Sequence, residues 1–234
     1  MKALDRRSLA IKSRHIEQIH QLFPCFSCVP DEQWNAAELV AVTPATPHAI
    51  REGHLFQHAM FIVSGWIRVY KISPSGREIT LYRVQSGECC VLMMASILGE
   101  MEYEASVSIE AETEVLLLPV ELFKDWMAAF KPIRQFIYKQ IIERMTGVTV
   151  LLENVAFNSV PSRIADYLIS KSTFPLPSSL RITHEQLAVE IGTSREVVSR
   201  ILKNFANKGA VSLSRGHITI MNHGILKTFL EMHM

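Results

Sequence analysis

The amino-acid sequence predicts an α+β protein with an N-terminal antiparallel β-roll, one long helix, and a smaller C-terminal domain of short helices with a β-hairpin. Short apolar runs separated by Gly and Pro turn signals fill residues 39–118. A stretch with apolar residues at helical spacing follows, and after it come short helices that begin at N-capping residues. The corresponding domains are residues 1–130, 131–157 and 158–234.

Composition indicates a globular protein. Its 234 residues, 48% of them hydrophobic, suffice for two modest cores. No apolar run approaches the roughly 18 residues that a bilayer crossing needs, and the N-terminus is charged where a signal peptide would be apolar. We therefore expect a cytoplasmic location and no membrane partner. Residues 158–234 hold nine Lys and Arg against five Asp and Glu, which is +4, and the chain's net charge of +1 leaves −3 elsewhere.

The first elements are predicted to be helical. Residues 1–28 form a helical segment with Leu9 among its apolar positions and Pro24 at its end. A second short helix is expected to begin at Asp31, whose carboxylate suits a cap. The predicted roll follows, most clearly in the strand–turn–strand run 61–70.

A short helix over 120–130 and a long helix from Lys131 to about Ala156 come next, because Pro132 suits a helical first turn. Apolar residues in the long helix recur in steps of four and three, as a two-stranded coiled coil requires. We predict a homodimer seam here, although this face could instead pack on the chain's own roll. Gly147 is expected to weaken the seam locally. The seam consists of Ile141, Met145, Val148, Leu152 and Val155.

The C-terminal domain carries the pattern of two short helices joined by a tight turn. Thr183 begins the first helix with Gln186 three residues later, which is the spacing of a capping box. Gly192 permits the positive φ that ends this helix, and Thr193 or Ser194 caps the next one. Together they form a candidate helix-turn-helix.

The second of these helices has one apolar face and one polar face. Arginine can bond both acceptors of a guanine edge, glutamate can accept from the cytosine amino group, and serine suits a base or a phosphate. A solvated amphipathic helix is the alternative, but residues 210–220 alternate around a turn like a wing, which favours DNA binding. The predicted base contacts are Arg195, Glu196, Ser199 and Arg200. The predicted backbone contacts are Thr183, His184, Ser194, Lys203 and Arg215.

The run from Ile182 to Lys203 resembles the winged helix-turn-helix of the Crp/Fnr family of bacterial transcription regulators. Arg195, Glu196 and Arg200 match the triplet of the cyclic AMP receptor branch, whereas Glu196, Ser199 and Arg200 match that of the Fnr branch. The resemblance implies a homodimer on palindromic double-stranded DNA with half-sites near TGTGA or TTGAT. The resemblance also implies contact with RNA polymerase if the protein activates transcription. Residues 51–70, followed by Ser-Gly-Arg-Glu, resemble the family's cyclic-nucleotide-binding-type β-roll.

The effector of the roll is left open by the sequence. Cyclic AMP is disfavoured, because receptors of that type hold the phosphate with an Arg-Ser pair, whereas this chain has Glu102, Tyr103 and Glu104 there. Four cysteines are the candidate redox or effector residues. They could be reduced and packed, bind zinc or an iron-sulfur cluster, or oxidise reversibly. These residues are Cys25, Cys28, Cys89 and Cys90.

Haem could in principle use His48, His54 or His58, but no pairing of axial ligands is evident. We expect no enzyme chemistry. The effector should bias a hinge at residues 158–161 and so change the spacing of two recognition helices. A cupin-like metal-binding or catalytic β-barrel with an accessory C-terminal domain is the alternative, and it would need a convergent ligand set that the scattered histidines do not suggest.

Overall fold

The structure, a computed structural model, describes residues 7–11, 13–44, 50–74, 76, 78–173 and 175–231. The chain divides into two compact units. The first comprises residues 1–71 and 81–148, and the second comprises residues 72–80 and 149–234. None of the helices in the described part of the chain is long and apolar enough to span a membrane.

The predicted antiparallel roll is confirmed. Its strands are β1 (Arg7–Ala10), β2 (Glu38–Val42), β3 (His58–Ser64), β4 (Trp66–Ile72), β5 (Glu78–Gln85), β6 (Ser106–Ile109) and β7 (Thr113–Pro119). One sheet of the roll has the order β1-β2-β7-β3, and the other has the order β5-β4-β6. The helices that accompany them are α1 (Ser13–Leu22), α2 (Val91–Gly99), α3 (Val120–Ala129) and α4 (Lys131–Phe157).

An aromatic cluster fills the core of the first unit. Phe26 makes edge contacts with Phe61 at 5.0 Å and with Trp126 at 5.7 Å between ring centroids. Trp34 contacts Trp126 in the same way at 5.0 Å. Such edge-to-face pairs stabilise a core beyond the area that they bury. The start of α4 joins this core through its buried Ile133.

The N-terminal prediction is partly wrong. Residues 7–10 form a strand rather than part of a helix, and Leu9 pairs with Leu39 at the edge of β2. In so short a run, the backbone hydrogen bonds gained by pairing with β2 outweigh the helical spacing of the apolar residues. Asp31 does not cap its 3₁₀ helix, which spans Asp31–Ala36, because Pro30 occupies the N-cap and no side-chain hydrogen bond forms there.

Helix α2 lies inside the stretch that the sequence assigned to strands. Residues 91–98 are almost continuously apolar, and a short run of that kind does not distinguish a buried helix from a buried strand. The helix buries Met93 and Met94 completely. The roll therefore contains a buried helix that the strand pattern did not predict.

The second unit contains the predicted short helices and a three-stranded sheet whose central strand is His217–Ile220. Ser178 and Ser179 begin a further strand, which pairs with Ile220 and Thr219 and so adds a third strand to the predicted hairpin. The helices are α5 (Val160–Lys171), α6 (His184–Ile191), α7 (Arg195–Asn207) and α8 (His223–Glu231), and the strands are β8 (Ser178–Arg181), β9 (Val211–Ser214) and β10 (His217–Ile220).

Candidate nucleic-acid interface and effector cavity

The turn between α6 and α7 forms as the sequence predicts. The Thr183 hydroxyl accepts from the Gln186 backbone N–H at 3.1 Å, and Gln186 Oε1 accepts from the Thr183 N–H at 2.9 Å, which completes a capping box. Gly192 ends α6 with a φ of 71°, in the left-handed region that glycine adopts without steric cost. These local interactions fix where α7 begins.

Helix α7 presents a polar face to solvent. Ser194 caps it by accepting from the Val197 N–H at 3.4 Å. A hydrogen bond from its own backbone N–H, followed by one from the Ser194 hydroxyl, lowers the pKa of the Glu196 carboxyl. Four predicted contact residues are exposed, while the opposite face is buried in the core of the unit. The exposed residues are Arg195, Glu196, Arg200 and Lys203.

Two contacts that the sequence did not reveal hold this region together. His184 Nδ1 and Ser199 Oγ share a hydrogen bond of 2.8 Å between α6 and α7. Arg163 of α5 donates from Nη1 to the Ile191 carbonyl at 2.7 Å, at the C-terminal end of α6. Burial lowers the pKa of the Arg163 guanidinium. Neither contact has a sequence signature, since each joins residues that are distant along the chain.

The wing is the β9–β10 hairpin. Its turn contains the exposed Arg215 and Gly216, whose φ is 74°. The His217 ring packs back on this turn through Nδ1, which lies 3.2 Å from the Arg215 carbonyl. The structure thus places the Arg215 side chain at the tip of an ordered hairpin beside the helix-turn-helix. Of the remaining predicted backbone contacts, Thr183 is exposed with its hydroxyl engaged in the cap, and His184 is half-buried.

The residues of the predicted dimer seam on α4 differ in exposure. Met145 and Leu152 are 67% and 64% exposed, but Ile141 is half-buried against the core of the roll. Ile142, beside it in the chain, is 64% exposed instead. Val148 is half-buried, and the side chain of Val155 lies outside the described residues. Helix α4 ends at Phe157, directly before the predicted hinge at residues 158–161.

The four cysteines are free thiols, and only Cys28 among them is exposed. Burial raises the pKa of the Cys25 thiol to about 12, and burial likewise raises the pKa of Cys89. A thiol of raised pKa forms little of the reactive thiolate at neutral pH. Cys90 is buried between two tyrosine hydroxyls, with its Sγ 3.5 Å from Tyr103 and 3.8 Å from Tyr82.

A cavity of about 60 Å³ lies between the two sheets of the roll and α2. Its lining is apolar apart from the Cys90 thiol. The lining residues are Val40, Val42, Ile50, Met60, Ile62, Ile67, Cys90, Met93, Val107, Ile109, Val115 and Leu117.

A chain of contacts links the wall of this cavity to α4. The Tyr82 hydroxyl faces Cys90, and the Arg144 guanidinium of α4 lies over the Tyr82 ring at 4.3 Å. Arg144 also donates to Glu88 Oε2 at 3.0 Å, and that oxygen accepts from the Gln85 N–H at 2.9 Å. The Glu88 carboxylate is therefore already engaged.

The described residues contain no group of three or more His, Cys, Asp and Glu side chains that could hold a metal ion. Of the haem candidates, His48 lies outside the described residues. His54 makes an edge contact with Phe56 at 5.0 Å between ring centroids, and burial lowers the pKa of its imidazole. His58 lies in β3 opposite Pro119.

A β-roll followed by a long helix and a winged helix-turn-helix with an exposed polar recognition face defines a class of DNA-binding transcription regulators. Comparisons with known proteins agree with this class. Residues 48–130 match the cyclic nucleotide-binding domain, and residues 162–229 match the Crp-like helix-turn-helix domain. Together these matches span more than half of the chain.

Similarities to individual proteins cover most of the chain. The chain is 28% identical over 176 residues to the cyclic AMP receptor protein of Thermus thermophilus, covering 75% of this chain and 81% of that protein. It is 26% identical over 179 residues to the cAMP-activated global transcriptional regulator CRP of Salmonella typhimurium, covering 72% of this chain and 83% of that protein. A Crp/Fnr family regulator structure from Eubacterium rectale superposes with a TM-score of 0.76 at 29% identity, covering 90% of this chain and 99% of that one. This chain belongs to the Crp/Fnr family of transcription regulators.

Proposed function

We propose that the protein acts as a homodimer that inserts α7 of each protomer into successive major grooves of a palindromic operator. The observation that carries this proposal is the face of α7, where exposed Arg195, Glu196 and Arg200 project opposite a fully buried apolar face. Such a helix fits the major groove, where each base pair presents a distinct pattern of donors and acceptors. The excess positive charge of residues 158–234 supports approach to the phosphate backbone.

The individual roles follow from the chemistry of each side chain. Arg195 and Arg200 are suited to guanine edges, and Glu196 is suited to the cytosine amino group. The lowered pKa of Glu196 keeps it an acceptor at neutral pH. Ser199 shares its hydroxyl with His184, so we assign it a secondary base or phosphate contact. The backbone contacts are Thr183, His184, Ser194, Lys203 and Arg215.

We propose a dimer seam that differs in part from the sequence-based one. Exposed residues of α4 recur in steps of four and three, the spacing of a two-stranded coiled coil. This revised seam keeps Met145 and Leu152 and replaces Ile141, whose side chain packs on its own roll. The revised seam consists of Tyr138, Ile142, Met145, Thr149, Leu152 and Ala156.

We propose that cyclic AMP is not the effector of this roll. A cyclic phosphate needs a charge-assisted partner, and the lining of the roll cavity contains no charged side chain. The Glu88 carboxylate is held by Arg144, and the buried Tyr103 lies near the position where receptors of cyclic AMP carry their phosphate-binding arginine. No catalytic activity is proposed, and contact with RNA polymerase would follow only if the protein activates transcription.

Selection of bound DNA from a random library tests the proposal. Purified full-length protein should enrich an inverted repeat whose half-site centres lie about one helical turn apart. Binding to the enriched site, measured by fluorescence anisotropy, should weaken steeply as salt is added. A variant carrying Arg195→Ala and Arg200→Ala should lose the enrichment, whereas Lys227→Ala, at an exposed position of α8, should keep it. Recovery of no repeat, or of the same repeat by the double variant, would contradict the proposal.

A further inference from the structure

The roll cavity differs chemically from a site for an anionic nucleotide. Its wall is made of aliphatic and thioether side chains, among them Met60, Ile62 and Met93, and its one polar group is the Cys90 thiol. That thiol already has two tyrosine hydroxyls within reach. A charged ligand placed here would lose its hydration without gaining a partner, which makes its binding unfavourable.

Size restricts the occupant further. The cavity measures about 60 Å³, well below the roughly 150 Å³ of an engineered apolar cavity that stays dry and binds benzene or xenon. An uncharged, apolar molecule of a few heavy atoms fits both the volume and the lining. Water is a poor occupant, since it needs two to four polar partners.

The cavity is also connected to the helix that we propose for dimerisation. Cys90 borders the cavity, Tyr82 contacts Cys90, and Arg144 of α4 lies over the Tyr82 ring. Burial raises the pKa of the Tyr82 phenol, so it remains a neutral hydrogen-bonding group. Displacement of the Cys90 side chain therefore reaches α4 through one tyrosine.

We propose that this cavity is the effector site, that it binds a small uncharged apolar molecule, and that the Cys90–Tyr82–Arg144 contacts transmit its occupancy to α4. The proposal rests on the proposed function, because it assigns the ligand class to the sensor of a DNA-binding dimer. A ligand changes operator affinity only if it binds the two states of the regulator unequally.

Xenon is the probe, since it is apolar and needs no hydrogen bonds. Full-length protein labelled with carbon-13 at its methionine methyl groups would be followed by NMR under increasing xenon pressure. The Met60 and Met93 signals should shift saturably, while the signal of exposed Met221 should not. Cyclic AMP in large excess should leave the Met60 and Met93 signals unchanged. Absence of a saturable shift, or a shift with cyclic AMP, would overturn the proposal.

A matched pair of variants locates the site. Val115→Ile adds one methylene to the wall and should weaken the xenon shift, whereas Ile62→Val removes one and should strengthen it. Both are small changes between aliphatic residues, so folding is expected to survive. Equal responses from the two variants would show that xenon binds elsewhere.

Operator affinity with and without xenon then tests the connection to α4. We expect a change of about fivefold or more, at the lower end of usual allosteric coupling, which Tyr82→Phe should reduce without abolishing the methyl shifts. A methyl shift with unchanged affinity would mean a packing void only and would overturn the effector assignment. Xenon shifts in a protein that binds no operator under any condition would refute the proposed function and leave the binding site standing.

Discussion

The imidazole of His184 and the hydroxyl of Ser199 share a hydrogen bond of 2.8 Å that joins the first residue of α6 to the middle of α7. A hydroxyl has one donor and two acceptor positions, so Ser199 retains capacity for a DNA contact while its rotamer is fixed. We therefore propose that His184, besides its proposed contact with the DNA backbone, positions the face of α7.

We predict that His184→Ala and Ser199→Ala are coupled in operator binding. Each should weaken binding, and the double variant should lose less than the sum of the two, with a coupling of about 0.5–3 kcal/mol. Fluorescence anisotropy on all four proteins measures this coupling. Ser170→Ala, at an exposed position of α5, is the control and should leave affinity unchanged. Strictly additive losses would show that the hydrogen bond has no influence on DNA contact.

Arg200→Ala should weaken operator binding by about 1–3 kcal/mol and relax the preference at one base pair. The reason is that an exposed arginine on α7 can bond both acceptors of one guanine. Affinities for a set of operators substituted one base pair at a time would check this. Lys203→Ala is the comparison, since a phosphate contact should lower affinity for all of these sequences alike and reduce the salt slope by about one. Unchanged specificity in Arg200→Ala would remove it from the base-contacting set.

The helix-turn-helix could be predicted from sequence because its signals are local. Thr183, Gln186, Gly192 and Ser194 act within a few residues of one another, so their spacing alone locates α6 and α7. The hydrogen bond between α5 and α6 could not be predicted, because Arg163 meets Ile191 only in the folded unit.

Two further differences between the sequence-based prediction and the structure also arise from contacts between residues that are distant along the chain. Strand β1 exists because β2 offers it an edge, and the face of α4 that packs on the roll depends on the roll itself. Ile141 and Ile142 are chemically identical and adjacent, so a heptad pattern in the sequence cannot say which of them is exposed. The apolar cavity likewise combines residues from two sheets and a helix that no motif connects.

Cys28 should be the first cysteine to react with iodoacetamide in the folded protein. It is the exposed thiol, whereas Cys25, Cys89 and Cys90 are buried. Mass spectrometry of protein alkylated at neutral pH should find modification at Cys28 alone, and alkylation in denaturant should modify all four. Early modification of Cys90 in folded protein would instead point to an accessible thiol at the cavity and would revive a redox role.

Stability should fall as the pH rises above about 9, in part through Cys25. Its pKa is raised from 9.0 to about 12 by burial, so the folded state holds the proton over a range in which the unfolded state has released it. The stabilisation is thus fully present below pH 9 and is lost as the pH rises toward 12. Urea unfolding from pH 7 to pH 10 would detect a weaker pH dependence in Cys25→Ala than in Cys28→Ala. Identical slopes for the two variants would rule out a contribution from Cys25.

Charged substitutions on the exposed face of α4 should separate the protomers. Met145→Asp combined with Leu152→Asp places two carboxylates in the proposed seam, where burial against a partner would leave them unpaired. Analytical ultracentrifugation should then report a monomer, and operator affinity should fall because one recognition helix alone contacts only a half-site. Gln18→Asp with Gln21→Asp adds the same charge on exposed positions of α1 and should remain dimeric.

The pair Ile141 and Ile142 decides which seam is correct. Ile142→Asp should dissociate the dimer with little loss of protomer stability, since its side chain is 64% exposed. Ile141→Asp should instead lower the free energy of unfolding, because that side chain packs on the core of its own roll. A dimer that survives Ile142→Asp but dissociates in Ile141→Asp with unchanged stability would restore the seam of Ile141, Met145, Val148, Leu152 and Val155. Thermal unfolding and sedimentation, measured on the same samples, distinguish these outcomes.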